Sequence, residues 1–209
     1  MIDIETLIEK LKDSCNNNLP GEVAQNKMLP VPHTDNFLTK SEEHAIPSAV
    51  LILLYPHKNN ILFILTERTN EVQHHKGQIS LPGGSWENGE QLHETALRET
   101  EEEIGISATE TKTIFELTPL FVKVTGYMIH PFVTYMTQKP SIVPYPNEVN
   151  NVFTVSITDL LNPLNRLTEL WTIRETPVDV PFFKFGKYKV WGATAMILSE
   201  FQHCIEEII

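Results

Sequence analysis

Cysteine, positive charge and long apolar runs are all scarce in this sequence, and each scarcity excludes a class of protein. The two cysteines, Cys15 and Cys204, belong to no Cys-x-x-Cys or Cys/His cluster, which favours free or buried thiols in a reducing cytoplasm over a disulfide or a zinc site. The longest apolar run covers seven residues, Ala49 to Tyr55, and is too short to span a bilayer. The first residues, MIDIETLIEKLKDS, lack the apolar core of a signal peptide. We therefore expect a cytoplasmic protein that does not enter a membrane.

Acidic residues outnumber basic ones: 27 Asp and Glu against 16 Lys and Arg give a formal net charge of −11 at pH 7. A chain of this charge has no basic surface for nucleic acid or for an anionic membrane. It also gives no long-range attraction to an anionic small molecule. Local basic residues and a bound metal would have to offset the charge of such a substrate. A homodimer is compatible with this composition.

Length and composition fit a soluble globular protein, since the chain has 209 residues, of which 41% are apolar and 21% are charged. We assign residues 1–45 to an amino-terminal helix and an extended surface segment, and residues 46–209 to the main domain. Apolar residues at helical spacing predict a helix at each end of the chain: Ile4, Leu7, Ile8 and Leu11, and, over residues 193–208, Ile197, Phe201, Ile205 and Ile208. Strands are predicted over 49–55, 61–66, 114–122, 129–136 and 149–155. This alternation is typical of an α/β protein.

The stretch from Gly84 to Ile106, GSWENGEQLHETALRETEEEIGI, is the most informative part of the sequence. In a helix, Glu99, Glu102 and Glu103 stand three and four positions apart, so their carboxylates share one face. Like charges at that spacing destabilise a helix by roughly 0.2–0.5 kcal/mol per pair, and a cation between them would offset this. Oxygen ligands without imidazole or thiolate favour Mg²⁺ or Mn²⁺ over zinc.

The same stretch resembles the Nudix box, G-x5-E-x7-R-E-U-x-E-E-x-G-U, in which U is a bulky aliphatic residue. The matching positions are Gly84, Glu90, Arg98-Glu99, Glu102-Glu103, Gly105 and Ile106. All fixed positions match, and Thr100 departs from the pattern at one U position. The resemblance implies a Nudix fold, which is an α/β/α sandwich with a mixed β-sheet between helices. It also implies a metal-dependent pyrophosphatase, with the metal bound by Glu99, Glu102, Glu103 and the backbone carbonyl of Gly84.

Two further roles are implied by the resemblance. Arg98 would pair with Glu90 and fix the loop on the helix, in preference to gripping phosphate. The general base would lie either on the box helix, at Glu99, or on a later loop, at Glu148. Glu148 could also be an extra metal ligand or a solvated loop acid, and these alternatives stay open.

A second pattern precedes the box and resembles L-L-T-x-R-S-x3-R-x3-G-x3-F-P-G-G, found in Nudix enzymes that cleave coenzyme A. Its matching positions are Leu65, Thr66, Arg68, Gly77 and Pro82-Gly83-Gly84, and its departures are Thr69, Gln73 and Leu81. Gln73 stands where an arginine could contact phosphate or coenzyme. Arg68, His75 and Lys76 are candidate substrate contacts, with solvated or strand-edge positions as the alternative.

The function implied is hydrolysis of the pyrophosphate in coenzyme A or a derivative, with Mg²⁺ or Mn²⁺, to give 3′,5′-ADP and 4′-phosphopantetheine or its acyl form. One alternative is a Nudix hydrolase of ADP-ribose, NADH, a dinucleoside polyphosphate or a nucleoside triphosphate. A second is a non-catalytic Nudix-fold sensor of a nucleotide-like ligand, although such proteins often lose box acids that are kept in this chain. A calcium-binding surface module is disfavoured, because the box lacks the Asp/Asn-rich twelve-residue loop of such sites.

Overall fold

The computed structural model describes residues 2–15, 18–33, 40–69 and 77–209. These ranges contain five α-helices: α1 (Ile4–Cys15), α2 (Gly21–Gln25), α3 (Leu92–Ile104), α4 (Ile157–Leu161) and α5 (Gly192–Glu206). They also contain twelve strands: β1 (Val31–Pro32), β2 (Ile46–His57), β3 (Asn60–Arg68), β4 (Ile79–Ser80), β5 (Gly83–Ser85), β6 (Lys112–Glu116), β7 (Leu120–Val122), β8 (Tyr127–Tyr135), β9 (Val149–Ser156), β10 (Arg166–Ile173), β11 (Thr176–Phe185) and β12 (Tyr188–Trp191).

The larger sheet has eight strands and is mixed. Its main path runs β4-β3-β2-β8-β6, with β5 beside β2, β7 beside β8 and β9 beside β3. Strands β2 and β8 are parallel, whereas β3 is antiparallel to both β2 and β9. The β3–β9 ladder brings Val149 opposite Arg68. The end of β3 therefore lies beside the start of β9.

Side chains of β2 alternate between two apolar layers, which explains the sandwich. Leu51, Leu53 and Tyr55 pack in the layer that contains Ala96 and Ile104 of α3. Ile52 and Leu54 point to the opposite layer, which contains α1 and α5. Because successive strand residues face opposite sides, a nearly continuous apolar strand is covered by helices on both faces. The predicted α/β/α sandwich with a mixed central sheet is confirmed.

A second, four-stranded antiparallel sheet is built around β11. Strand β10 pairs with one edge of β11, and β1 and β12 pair with the other. Three aromatic side chains of its strands pack together: Trp171 is stacked against Phe182 and lies edge-on to Trp191. None of these strands is predicted from the sequence, because their apolar residues are interrupted by charged and proline positions.

Most of the predicted elements occur, with shifted ends. The helices at residues 4–15 and 192–206 bury the predicted apolar residues. The strand predicted over 114–122 is divided into β6 and β7, which both pair with β8. The extended surface segment predicted after the amino-terminal helix, within residues 1–45, is wrong in its described part: α2 forms there, and Ala24, Gln25 and Met28 are buried.

The two cysteines, from opposite ends of the chain, are free and buried, as predicted, and their thiols hydrogen-bond each other. No helix in the described ranges is both long enough and apolar enough to cross a membrane. The boundary predicted between residues 45 and 46 stays a prediction, and α1 packs in the same apolar layer as α5.

Candidate active site at the acidic helix

Helix α3 carries the predicted site and is held by a buried face. Ala96, Thr100 and Ile104 of this helix are buried, and Leu97 is half-buried. Thr100, the departure from the aliphatic pattern, donates its hydroxyl hydrogen to the Ala96 carbonyl at 2.7 Å. Its polar atom is thereby satisfied inside the apolar layer. Because this face is fixed, the helix cannot rotate its carboxylates away from the sheet.

Gly83 and Gly84 of β5 lie directly against these carboxylates. A Cβ atom on Gly84 would stand 2.3 to 2.6 Å from the carboxylate atoms of Glu99. Gly83 has a φ of 146°, and a Cβ atom there would stand 2.2 Å from the Ala49 carbonyl oxygen. Both positions therefore require glycine: Gly83 for the strand contact, and Gly84 for the approach of an acid.

Glu103 is the most deeply buried acid of the site, with 2% of its side chain exposed. Its Oε2 accepts a hydrogen bond from the Gly83 N–H at 3.3 Å, and its Oε1 lies 3.8 Å from Arg68 Nη1. Burial raises the pKa of Glu103 to about 8, even though Arg68 and the Gly83 N–H oppose the rise. The carboxylate form therefore lacks sufficient positive charge nearby.

Glu99 and Glu102 share a single guanidinium nitrogen. Arg98 Nη1 donates to Glu99 Oε1 at 2.9 Å and to Glu102 Oε2 at 3.2 Å. Burial raises the pKa of Glu99, and its hydrogen bond to Arg98 works against that rise. Exposure falls across the three acids, from 56% for Glu102 to 17% for Glu99 and 2% for Glu103. The helix face that they share therefore runs from solvent to core.

Arg98 also forms a salt bridge with Glu90. Its Nε and Nη2 donate to the two Glu90 oxygens at 3.0 Å each, and Nη2 also donates to the Ser85 carbonyl at 3.1 Å. Glu90 further accepts from the Glu87 N–H and the Thr95 hydroxyl. The hydrogen bonds from Arg98 lower the pKa of Glu90 to about 2. These contacts fasten the loop to the helix, as the structural role predicted for this pair requires.

Glu148 stands on a loop that is anchored to the end of β3. Its backbone carbonyl accepts a hydrogen bond from the Thr69 N–H at 3.0 Å. The Glu148 carboxylate is close enough to raise the pKa values of both Glu99 and Glu103 by charge repulsion. The fold therefore brings Glu148 to the acids of α3, from which it is separated by more than forty positions in sequence.

Arg68 completes the described part of the site. Its side chain is about one-third exposed, and its buried Nε has no hydrogen-bond partner among the described residues. The structure thus brings together Gly84, Glu99, Glu103, Glu148 and Arg68. The other predicted contacts, His75 and Lys76, and the departure at Gln73, lie outside the described residues.

Sequence reasoning missed two residues of this region. Thr69 anchors the Glu148 loop, since its N–H and hydroxyl donate to the carbonyls of Glu148 and Asn147. Tyr145 exposes its ring on the same loop. The available signal was an aromatic residue between two prolines, just before a candidate catalytic acid.

No group of three or more acidic, histidine or cysteine side chains in the described ranges is already arranged around a metal position. Two of the acids are bonded to Arg98 instead, because its Nη1 donates to both Glu99 and Glu102. The residues nevertheless fit a hard divalent cation: the donors are oxygens, Gly84 leaves room at Glu99, and Glu103 is a buried acid short of positive charge. Fold and site together define an α/β protein with a carboxylate site suited to a divalent cation.

Comparison with known proteins identifies the family. The NUDIX domain model matches residues 45–174, which is more than half of the chain. The chain belongs to the Nudix hydrolase family. Two solved structures share the fold. RenU, a Nudix hydrolase from M. smegmatis, has a TM-score of 0.53 and 15% identity, and the match covers 84% of this chain and 98% of that one. The MutT protein from Methanosarcina mazei Go1 has a TM-score of 0.52 and 18% identity, and the match covers 78% of this chain and 96% of that one.

Sequence relatives include one protein that is named for its activity and others that are named only as Nudix hydrolases. The peroxisomal coenzyme A diphosphatase ndx-8 of Caenorhabditis elegans is 30% identical over 154 residues, covering 72% of this chain and 64% of that protein. Nudix hydrolase 15, mitochondrial, of Arabidopsis thaliana is 33% identical over 159 residues, covering 72% and 55%. Nudix hydrolase NudL of Yersinia pestis (strain Pestoides F) is 32% identical over 178 residues, covering 81% and 86%. The chain thus spans less than two-thirds of the first and second of these relatives.

Proposed function

We propose that this chain is a metal-dependent Nudix pyrophosphatase that hydrolyses coenzyme A or a derivative to 3′,5′-ADP and 4′-phosphopantetheine or its acyl form. The observation that supports this reaction type is the position of Glu103. It is a buried carboxyl group that faces the Gly83 N–H, with Arg68 at 3.8 Å. A buried acid without a full ion pair is costly, and a cation-binding role explains why it is placed there.

Mg²⁺ or Mn²⁺ would be held by Glu99, Glu102, Glu103 and the Gly84 carbonyl. Such an ion supplies positive charge to phosphate oxygens and acidifies a bound water. Arg98 has to share or release its contacts to Glu99 and Glu102 when these acids serve as ligands. Its contacts to Glu90 are independent of that change, so the loop stays attached to the helix.

Arg68 and Glu148 would perform the remaining roles in the reaction. Arg68, with an unpartnered buried Nε and a side chain that is about one-third exposed, would neutralise phosphate charge beside Glu103. Glu148, half-buried on an anchored loop, would remove a proton from the attacking water as general base. Glu99 is the alternative base. Glu99 already accepts a hydrogen bond from Arg98 and is one of the proposed metal ligands, whereas Glu148 stands outside that ligand set.

Coenzyme A is supported as the substrate by two observations. The pattern of Leu65, Thr66, Arg68, Gly77 and Pro82-Gly83-Gly84 resembles the coenzyme A motif, and a relative named as a coenzyme A diphosphatase aligns over 72% of this chain. In the structure, Arg68 of this motif lies at the acids of the box. The two patterns therefore meet at one site.

The deciding experiment is product analysis by chromatography after incubation with coenzyme A and Mg²⁺ or Mn²⁺. ADP-ribose, NADH and a nucleoside triphosphate are assayed in parallel, and the Glu103→Gln protein is the blank. We expect 3′,5′-ADP from coenzyme A. Cleavage of another pyrophosphate in place of coenzyme A would refute the substrate assignment and keep the reaction type. Binding of these compounds without any cleavage would indicate that the chain is a nucleotide sensor and not an enzyme.

A further inference from the structure

The loop before β9 exposes an aromatic ring and also carries Glu148 of the proposed site. Tyr145 is 47% exposed and stands between Pro144 and Pro146. Its N–H donates to the carbonyl of Glu103 at 2.9 Å, and its carbonyl accepts from the Glu148 N–H at 3.1 Å. One residue is thus bonded directly to the backbone of two acids of the proposed site.

The ring is also held in place. Asn147 Nδ2 donates to the Tyr145 hydroxyl at 3.0 Å, and the Asn147 carbonyl accepts from the Thr69 hydroxyl at 3.1 Å. The prolines on both sides restrict the backbone, because proline fixes its own φ and limits the residue before it. A side chain ordered before binding loses little entropy when a ligand arrives.

Core packing does not account for this ring. Ile142 of the same loop packs in the layer beneath α3, whereas Tyr145 remains outside both apolar layers. Its hydroxyl is bonded within the loop, which leaves the faces of the ring as its main free surface. Aromatic faces bind other flat rings by stacking.

The side chains of Tyr145 and Arg68 offer different contacts to a substrate. Tyr145 is an uncharged aromatic residue on the loop that carries Glu148, so it presents a ring face and no positive charge for a phosphate. Arg68, which lies against Glu103, offers the cationic contact for phosphate. The site therefore divides into a phosphate side at Arg68 and an uncharged aromatic side at Tyr145.

We infer that Tyr145 is a stacking platform for the purine base of the substrate. The inference rests on the proposed function and adds a specificity-determining residue to it. The two products offer a matched pair of probes, because 3′,5′-ADP contains the base and 4′-phosphopantetheine does not.

The test is isothermal titration of each product, with Mg²⁺ present, into the unmodified chain and into Tyr145→Leu and Tyr145→Phe. We expect Tyr145→Leu to weaken 3′,5′-ADP binding by about two- to tenfold, as the loss of one aromatic stack implies, and to leave 4′-phosphopantetheine binding unchanged. Tyr145→Phe keeps the ring and should bind 3′,5′-ADP nearly as the unmodified chain does. In steady-state assays of Tyr145→Leu, KM for coenzyme A should rise with little change in kcat.

The control is Leu170→Ala, which shortens another exposed apolar side chain, 63% exposed, on the second sheet. Unchanged 3′,5′-ADP binding by Tyr145→Leu would overturn the inference, and so would an equal loss for both products, which would indicate general damage to the loop. Failure of the coenzyme A proposal has a different signature: the unmodified chain itself would not cleave coenzyme A.

Discussion

Arg98 holds Glu90 with two parallel hydrogen bonds of 3.0 Å, from Nε and Nη2 to the two carboxylate oxygens. The pair lies eight positions apart, which is farther than one helical turn. The contact forms because Glu90 precedes α3 and lies in the loop after β5. Arg98 thus connects β5 and the loop after it to the acidic helix, and it hydrogen-bonds Glu90, Glu99 and Glu102 at once.

Replacing Arg98 by lysine should destabilise the fold. Lysine offers a single ammonium where the guanidinium serves Glu90, Glu99, Glu102 and the Ser85 carbonyl. We expect a loss of about 1–3 kcal/mol in the free energy of unfolding, measured by urea denaturation of the chelator-treated protein. Arg174→Lys, at an exposed turn, is the matched control, and an equally small loss in both variants would contradict the assigned role.

Glu103→Gln should abolish turnover and leave the fold intact. The amide keeps the volume and can still accept from the Gly83 N–H, but it removes a negative ligand. Binding of Mn²⁺, followed by titration calorimetry, should weaken in parallel with activity. Glu101→Gln, which changes an exposed acid on the same helix, should behave like the unmodified chain. Near-normal activity of Glu103→Gln would refute the metal assignment.

The raised pKa of Glu103 makes the metal-free protein sensitive to pH. The folded chain holds this proton more tightly than the unfolded chain, whose carboxyl group titrates near its ordinary value of 4.5. The stability that the protonated group contributes is therefore complete below pH 4.5 and is lost as the pH rises through about 8. Melting temperatures in the presence of a chelator should fall over this window more for the unmodified chain than for Glu103→Gln. Parallel curves would show that Glu103 titrates normally.

Alanine substitutions of the two glycines of β5, Gly83 and Gly84, should have different effects. Gly83→Ala places a methyl group 2.2 Å from the Ala49 carbonyl and imposes an unfavourable φ, so it should lower the melting temperature. Gly84→Ala meets the end of the Glu99 side chain instead, which can move. It should weaken metal binding and activity with a smaller loss of stability. Thermal melts and Mn²⁺ titration of both variants make the comparison, and the reverse pattern would contradict the geometry.

Glu148→Gln distinguishes the two candidate bases. If Glu148 is the base, kcat should fall by about 10²- to 10⁴-fold, and metal affinity should change little. Glu110→Gln, at an exposed turn after α3, is the control. A fall of less than about threefold would return the role of base to Glu99.

The elements that could be predicted from sequence are those with strong local periodicity. Helices α1 and α5 repeat apolar residues at helical spacing, and β2 and β3 are nearly continuous apolar runs. The segment after residue 16 was predicted wrongly because its polar, proline-interrupted sequence carries no period, although Ala24 and Met28 are buried by contacts with distant parts of the chain. The second sheet was missed for a similar reason: its strands are stabilised by pairing with each other and by Trp171, Phe182 and Trp191.

The sequence by itself determined the family, the acidic helix and the spacing that places Glu99, Glu102 and Glu103 on one face, because helical geometry is local. Only the tertiary structure decided how these acids differ. Glu103 faces the sheet and is buried, Glu102 faces solvent, and Glu99 lies against Gly84 of β5. The structure also brought Arg68, Tyr145 and Glu148 to the helix. Burial and electrostatic environment depend on strand pairing between segments far apart in the chain, and no local pattern contains that information.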